Sequence, residues 1–352
     1  GSNAVGFTYY DVATQDRIAA AVQALQSSGA WTADSPLAIL NPFGTGSNGL
    51  YLYFETDRPA TVSYTIRAEG ASDFTRTAND VAVEGSIERD AEGGTLVHSF
   101  QMIGLVPDAT NHVALTIGDP QGESARTLTF SINMPATGSG YPTALESTDG
   151  ESTQPLSDGL FALMRANGYL GYGFFFDNDG VLRYEMVTDG FALDRVLSCE
   201  DGTLVCTSTQ SVCRIDGLGR VRALYTPSGY TLHHDINYGA DGSAVALAEK
   251  TGRETVEDVV IEIDLATGAV TELVDFSDLM AFTDEVLRRC THYTGNGQVL
   301  PMTEAKRTEL LAANKAMADK ALRVLAAAER LYESLPDRQE PEDLEHDLCF
   351  IG

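Results

Sequence analysis

Positive charge is scarce in this chain: 23 Lys and Arg stand against 51 Asp and Glu, a net charge of −28 over 352 residues. Binding to a phosphate backbone needs clustered Lys and Arg, so nucleic acid and anionic membrane surfaces are excluded as partners. No run of about 18 apolar residues occurs, so membrane insertion through a spanning helix is not expected. The five cysteines, Cys199, Cys206, Cys213, Cys290 and Cys349, form no C-x-x-C pair, which is poor spacing for zinc. A disulfide across a hairpin, Cys206 to Cys213, and buried thiols acting as small hydrophobes are both open readings. The glycine-rich "NPFGTGSNG" lacks the lysine of a phosphate-binding loop and reads as a strand-flanking loop. "DNDG" at 177–180 has no glutamate to complete a calcium loop and reads as a hairpin turn. Neither a metal nor another cofactor is therefore expected. Histidine is also rare, yet two of the six are adjacent, His233 and His234 in "GYTLHHDINYGADGSAVALAEK".

What is present describes a mainly β protein. Residues 1–33 read as a short tag scar, "GSNA", followed by one helix over 12–27 that ends before Gly29. Residues 34–135 carry about six strands and no helix signal, including two strands predicted to turn at 56–59, "TDRP". That texture predicts an immunoglobulin-like β-sandwich, without the Cys…Trp…Cys framework of antibody domains. Residues 136–158, rich in Pro, Gly, Ser, Thr and acids, read as a linker. From 159 to 300 a unit of strand, Asp/Gly turn and strand recurs, as in "GYGFFFDNDGVLRYEM" and "SVCRIDGLGRVRALY". Successive hairpins of this kind are the signature of β-propeller blades. The length gives only three to four blades at about 40–45 residues each, so a partial propeller is expected. Residues 301–336, rich in Ala, Leu, Lys and Glu, predict one long helix, and 337–352 a strand-like end.

Adjacent residues on a strand face opposite sides, so one of His233 and His234 should point inward. Taken alone, such a pair reads as solvated or hydrogen-bonded. His98 and His112 fall in sandwich strands and read as structural; His292 falls in a polar loop. Arg183, Arg195 and Arg220 sit near hairpin turns with no assigned role.

Three stretches carry a family resemblance. "NPFGTGSNGLYLYFETDRPA" and "GLVPDATNHV", followed by hairpins leading into "GYTLHHDINYGADGSAVAL", resemble the arylsulfate sulfotransferases that use no nucleotide donor. The resemblance covers about 34–280. It implies an exported homodimer with a propeller funnel lined by histidines and an arginine. It also implies transfer of a sulfuryl group from an aryl sulfate to a phenol through a sulfated histidine. His234 and His233 would then be substrate-binding residues, with His234 slightly favoured as the inward one. The family's nucleophilic histidine belongs to later blades. His346 could stand for it, but Leu348 occupies the place of the asparagine in its His-x-Asn pair, so the catalytic residue stays unassigned. A non-catalytic binding or assembly protein on the same scaffold is the alternative, and a glycan-binding surface protein a third reading.

Overall fold

The computed structural model describes residues 8–119, 122, 124–146, 148, 150–151, 157–167, 170–189, 195–199, 201–207, 210–253, 259–276, 283–318, 326–334, 338 and 344–352. It contains two compact units, Gly1–Ala246 with Ile263–Val270, and Leu247–Glu262 with Thr271–Gly352.

The first unit opens with α1 (Val12–Gln26), capped by the Asp11 carboxylate, which accepts from Thr14 N at 2.8 Å. Ala19 and Val22, three residues apart, bury one side of the helix against Phe43, Tyr51, Val83 and Leu218.

The sandwich comprises β1 (Leu37–Leu40), β2 (Leu50–Ala68), β3 (Phe74–Thr77), β4 (Thr95–Met102), β5 (Thr110–Gly118) and β6 (Ala125–Asn133). β2 belongs to two layers. Its first half pairs with β1 and β4, its second half with β3 and β5, and β6 lies outside β5. The predicted hairpin at 56–59 is therefore not a reversal. It is an irregularity within one continuous strand, where the β2–β4 register shifts between Glu55 and Ala60. Pro59 has no N–H to give the ladder, and the Thr56 hydroxyl donates to Arg58 O at 2.8 Å across the irregularity. Strict alternation follows on both sides: Leu50, Leu52 and Phe54, then Val62, Tyr64 and Ile66, share one core with Phe100, Met102, Val113 and Leu115.

Burial pushes the Tyr64 hydroxyl up to about 12, only partly offset by a hydrogen bond from Ile103 N. The unfolded chain ionises this group near 10.0. The folded state holds the proton longer, so this stabilisation is whole below pH 10 and is lost as pH rises through about 12. Tyr64→Phe is expected to flatten the alkaline fall in denaturant midpoint across that window. An unchanged slope would remove Tyr64 as a source.

Three meanders follow, the first two antiparallel in register. The first runs β7 (Phe161–Asn167), β8 (Leu170–Phe176) and β9 (Leu182–Asp189). The second runs β10 (Val196–Ser198), β11 (Leu204–Thr207), β12 (Val212–Ile215) and β13 (Val221–Tyr225). The third runs β14 (Tyr230–Tyr238), β15 (Ser243–Lys250), β16 (Val259–Asp264) and β17 (Val270–Asp275). In each, an Asp/Gly turn gives the left-handed position that a tight reversal needs, as at Gly180 (φ 77°) and Gly219 (φ 82°).

The first meander has three strands, and the outer edge of β9 is filled from elsewhere. Met186 bridges to Gly46, and Val187 N donates to Thr45 O at 2.8 Å. Further along, Val181 bridges to Ala144 and Leu182 N donates to Thr143 O at 2.9 Å. Part of the predicted linker is thus docked, with the Tyr141 ring 5.5 Å from Phe174. Residues 147, 149 and 152–156 of that linker lie outside the described residues. Buried Asn48 braces the same edge: its Nδ2 donates to Leu105 O and Arg183 O, and its Oδ1 accepts from Glu185 N.

The second unit contains α2 (Thr283–Arg289), β18 (Cys290–Gly295), β19 (Gln298–Pro301), α3 (Glu304–Ala318), β20 (Ala328–Glu329) and β21 (Leu348–Phe350). Its sheet is ordered β19-β18-β21-β20, with β18 parallel to β21. The helix expected over 301–336 is shorter: Pro301 ends a strand, α3 covers 15 residues, and Ala328 and Glu329 pair with Phe350 and Cys349. Ala-rich sequence favours helix only weakly, and strand pairing overrides it here. Residues 319–325 and 335–336 of that expectation lie outside the described residues.

Candidate functional site

β10 and β14 are the first and edge strands of their meanders, and they lie side by side within the first unit. Ser198 N donates to Tyr238 Oη at 3.1 Å, and that hydroxyl donates back to Ser198 O at 2.8 Å. Just before β10, Arg195 Nη1 reaches both carboxylate oxygens of Asp235, at 3.2 and 3.3 Å, and Ile236 O at 3.5 Å. His233 and His234 precede Asp235 on the same strand, with ring centroids 6.1 Å apart.

Simple alternation would put Leu232, His234 and Ile236 on one face. Leu232 and Ile236 are buried, but His234 is exposed and adopts φ 51°. A left-handed residue inside a strand breaks the period of two and turns the side chain outward. His233 is half-buried, with Nε2 enclosed. The strand therefore presents one enclosed and one open imidazole, next to a guanidinium held by an exposed carboxylate.

Such a group of side chains can bind and transfer an anion. Imidazole can attack an electrophilic centre or donate to oxygens that gain charge. A solvent-exposed Arg–Asp pair is worth only about 0–1 kcal/mol, so an incoming anion can compete for Arg195 at little cost.

His346 is placed elsewhere. It is exposed in the second unit, its Nδ1 2.8 Å from Asp347 Oδ2, and its carbonyl accepts from Arg330 at 2.9 Å. His98 is wholly buried, Nδ1 3.1 Å from Asp80 Oδ2, with its ring 4.9 Å from Phe54. His112 is exposed and bonds to Ser131 Oγ at 2.8 Å. His292, expected in a loop, lies in strand β18 and is exposed. Its strand is fixed by pairing with β19 and β21, which the polar sequence does not disclose.

Cys206 and Cys213 stand directly opposite in the β11–β12 register. The Cys206 side chain, and with it the expected bridge, lies outside the described residues. Burial pushes the Cys290 thiol up to about 11, against a smaller downward pull from Arg307. Its thiolate is therefore scarce near neutrality. Asp177 in "DNDG" uses both carboxylate oxygens within its own turn, accepting from Asp179 N, Val181 N and Arg183 Nε. Among the described residues no group of three or more His, Cys, Asp or Glu could hold a metal ion. The sequence reading left Arg195 without a role and passed over Asp235 and Tyr238. The adjacency of β10 and β14 brings them together, and no local spacing encodes it.

Comparison with known proteins adds four findings. A family model described as Arylsulfotransferase (ASST) matches residues 146–321. A second, the Arylsulfotransferase Ig-like domain, matches residues 37–135. Calcium-transporting ATPase 1 of Bacillus cereus (strain ATCC 10987 / NRS 248) is 42% identical over 69 residues, covering 20% of this chain and 8% of that protein. The crystal structure of Porphyromonas gingivalis dipeptidyl peptidase 4 aligns over 69% of this chain and 30% of its own, at 13% identity and a TM-score of 0.27, too weak a likeness to carry an argument.

Proposed function

This chain belongs to the arylsulfotransferase family, and from that premise we propose that it is an exported transferase moving a sulfuryl group from an aryl sulfate to a phenol through a histidine. The observation that carries the reading is the placement of Arg195, just before edge strand β10, beside the neighbouring edge strand that bears His233 and His234. The three meanders are read as propeller blades whose inner strands include β10 and β14. His233, His234 and Arg195 then donate to the sulfuryl oxygens of the bound aryl sulfate. An attacking imidazole nitrogen forms an N–S bond as the bond from sulfur to the aryl oxygen breaks, and the electron pair leaves with the phenolate. An acceptor phenol gives its proton to a neighbouring imidazole or to water and attacks sulfur. The N–S bond then breaks and the histidine is restored. Family membership alone supports export and a homodimer, the latter to be read from the mass in solution. Among the described residues no helix is long and apolar enough to cross a membrane.

The test is release of a chromogenic phenol from its sulfate ester by the whole chain. Release should depend on an acceptor phenol and give the parallel double-reciprocal lines of a ping-pong reaction. A folded chain without acceptor-dependent release would overturn the reading.

A second reading concerns the run from α2 to the C-terminus. Its mixed sheet, with β18 parallel to β21, differs from the sequential meanders, although the family match continues to residue 321. The stretch shared with the Bacillus cereus pump is about as long as this run. We infer that the run is the matched segment and folds independently, so that the chain joins a transferase scaffold to a piece of ion-pump ancestry. Limited proteolysis should leave a folded fragment beginning near residue 283. Degradation of that run with no protected fragment would argue against it.

A further inference from the structure

Two turns of the first unit are built alike. Asp177 and Asp216 each open a D-x-x-G-x-x-R stretch, at 177–183 and 216–222. In the first, Asp177 Oδ1 accepts from Asp179 N and Val181 N at 3.0 Å each, and Oδ2 accepts from Arg183 Nε at 2.5 Å. In the second, Asp216 Oδ1 accepts from Leu218 N and Arg220 N at 2.9 and 3.0 Å, and Oδ2 accepts from Arg222 Nε at 2.6 Å. Each aspartate thus closes its turn with one oxygen and grips the arginine with the other.

The free arms of both arginines leave the turn and reach the sandwich. Arg183 Nη1 donates to Gly104 O at 3.2 Å and Nη2 to Ser72 O at 2.7 Å, with the guanidinium 4.8 Å from the Phe74 ring centroid. Arg222 Nη2 donates to Ala82 O and Val83 O at 3.2 Å each. Arg220 reinforces the second contact through Val83 O at 2.6 Å and Glu84 at 2.7 Å, and ties in Asp16 of α1 at 2.8 Å. The turn itself does not require the arginine. Asp264 closes its own, one-residue-longer D-x-x-x-G turn through Ala266 N and Thr267 N with no arginine in the six residues that follow it.

We propose that the D-x-x-G-x-x-R turn is a docking clasp by which the sandwich grips two successive meanders, and that Arg222 is a positioning residue for the transfer site. Engaging Nε with the aspartate fixes the guanidinium plane and aims both Nη groups outward, a fork that lysine cannot reproduce. Through the second clasp the sandwich holds the meander that begins with β10, and so the strand that follows Arg195. The docking half stands alone; the positioning half rests on the proposed transfer reading.

The test uses the whole chain with two charge-neutral pairs, Asp177→Asn/Arg183→Met and Asp216→Asn/Arg222→Met, followed by amide hydrogen exchange and aryl sulfate turnover. The first pair is expected to speed exchange at 72–74 and 104 by about tenfold, and the second at 82–84, with β5 and β8 unchanged. Turnover should fall by about tenfold in the second pair. Unchanged exchange at those sandwich segments overturns the clasp, and faster exchange with parental turnover overturns the positioning role. If the parent itself shows no transfer, the functional reading fails while the exchange measurement still decides the clasp. If a pair variant does not fold, Arg183→Lys and Arg222→Lys, which keep the charge and lose the fork, are read by the same measurements.

Discussion

Replacing His233 and His234 together with alanine is expected to cut turnover of an aryl sulfate by about 10²–10³-fold, the usual loss when donors to a charged transition state are removed. The structure separates the two contributions. His233 is half-buried with Nε2 enclosed, so its ring is held by its surroundings more firmly than that of His234. His234 is exposed at φ 51°, where a residue with a Cβ is strained, and its side chain faces solvent. His233→Ala should therefore lose more activity than His234→Ala. His234→Gly relieves the left-handed strain and removes the imidazole, so it should match His234→Ala in activity while gaining stability. Equal turnover in the parent and the double variant would remove this strand from the site.

The largest loss of stability is expected at Phe100. It is completely buried, its ring stacks 6.2 Å from Tyr64, and it meets the edge of Phe54 at 6.5 Å. These contacts join the two halves of β2 to β4, so little around the site can collapse into a vacancy. Phe100→Ala should cost about 3–5 kcal/mol. Leu96→Ala, on the same strand but 47% exposed, should stay within about 0.5 kcal/mol. Trp31, the single tryptophan, packs on the α1 cluster and reports both as a shift in denaturant midpoint at constant slope. A similar shift for the two variants would mean that the sandwich core is not organised around Phe100.

Much of the fold was readable because its turns announce themselves. The Asp/Gly reversals between β8 and β9, β12 and β13, and β14 and β15 interrupt alternating apolar runs, and each strand pair fell where that pattern put it. Three features depended on tertiary pairing. Thr56 to Pro59 looks like a hairpin turn, but the two halves of β2 find different partner strands, so the chain continues in one direction. Ala328 and Glu329 sit in helix-favouring sequence, but β21 recruits them as a strand. His234 breaks the alternation that would have identified the inward imidazole, because its backbone enters the left-handed region. The D-x-x-G-x-x-R repeat stands in the sequence at 177 and 216, but Arg183 carries no assigned role from sequence and Arg222 no reading at all, because their partners lie in the distant sandwich. The Arg195–Asp235 contact had no local signal, since it joins strands of different meanders.

The most direct measurement of the central claim is the intact mass of the chain after incubation with an aryl sulfate donor and no acceptor. Transfer through a histidine predicts one added sulfuryl group, mapped to a histidine and discharged when a phenol is supplied. A folded chain that gains no sulfuryl group and releases no phenol would contradict the account.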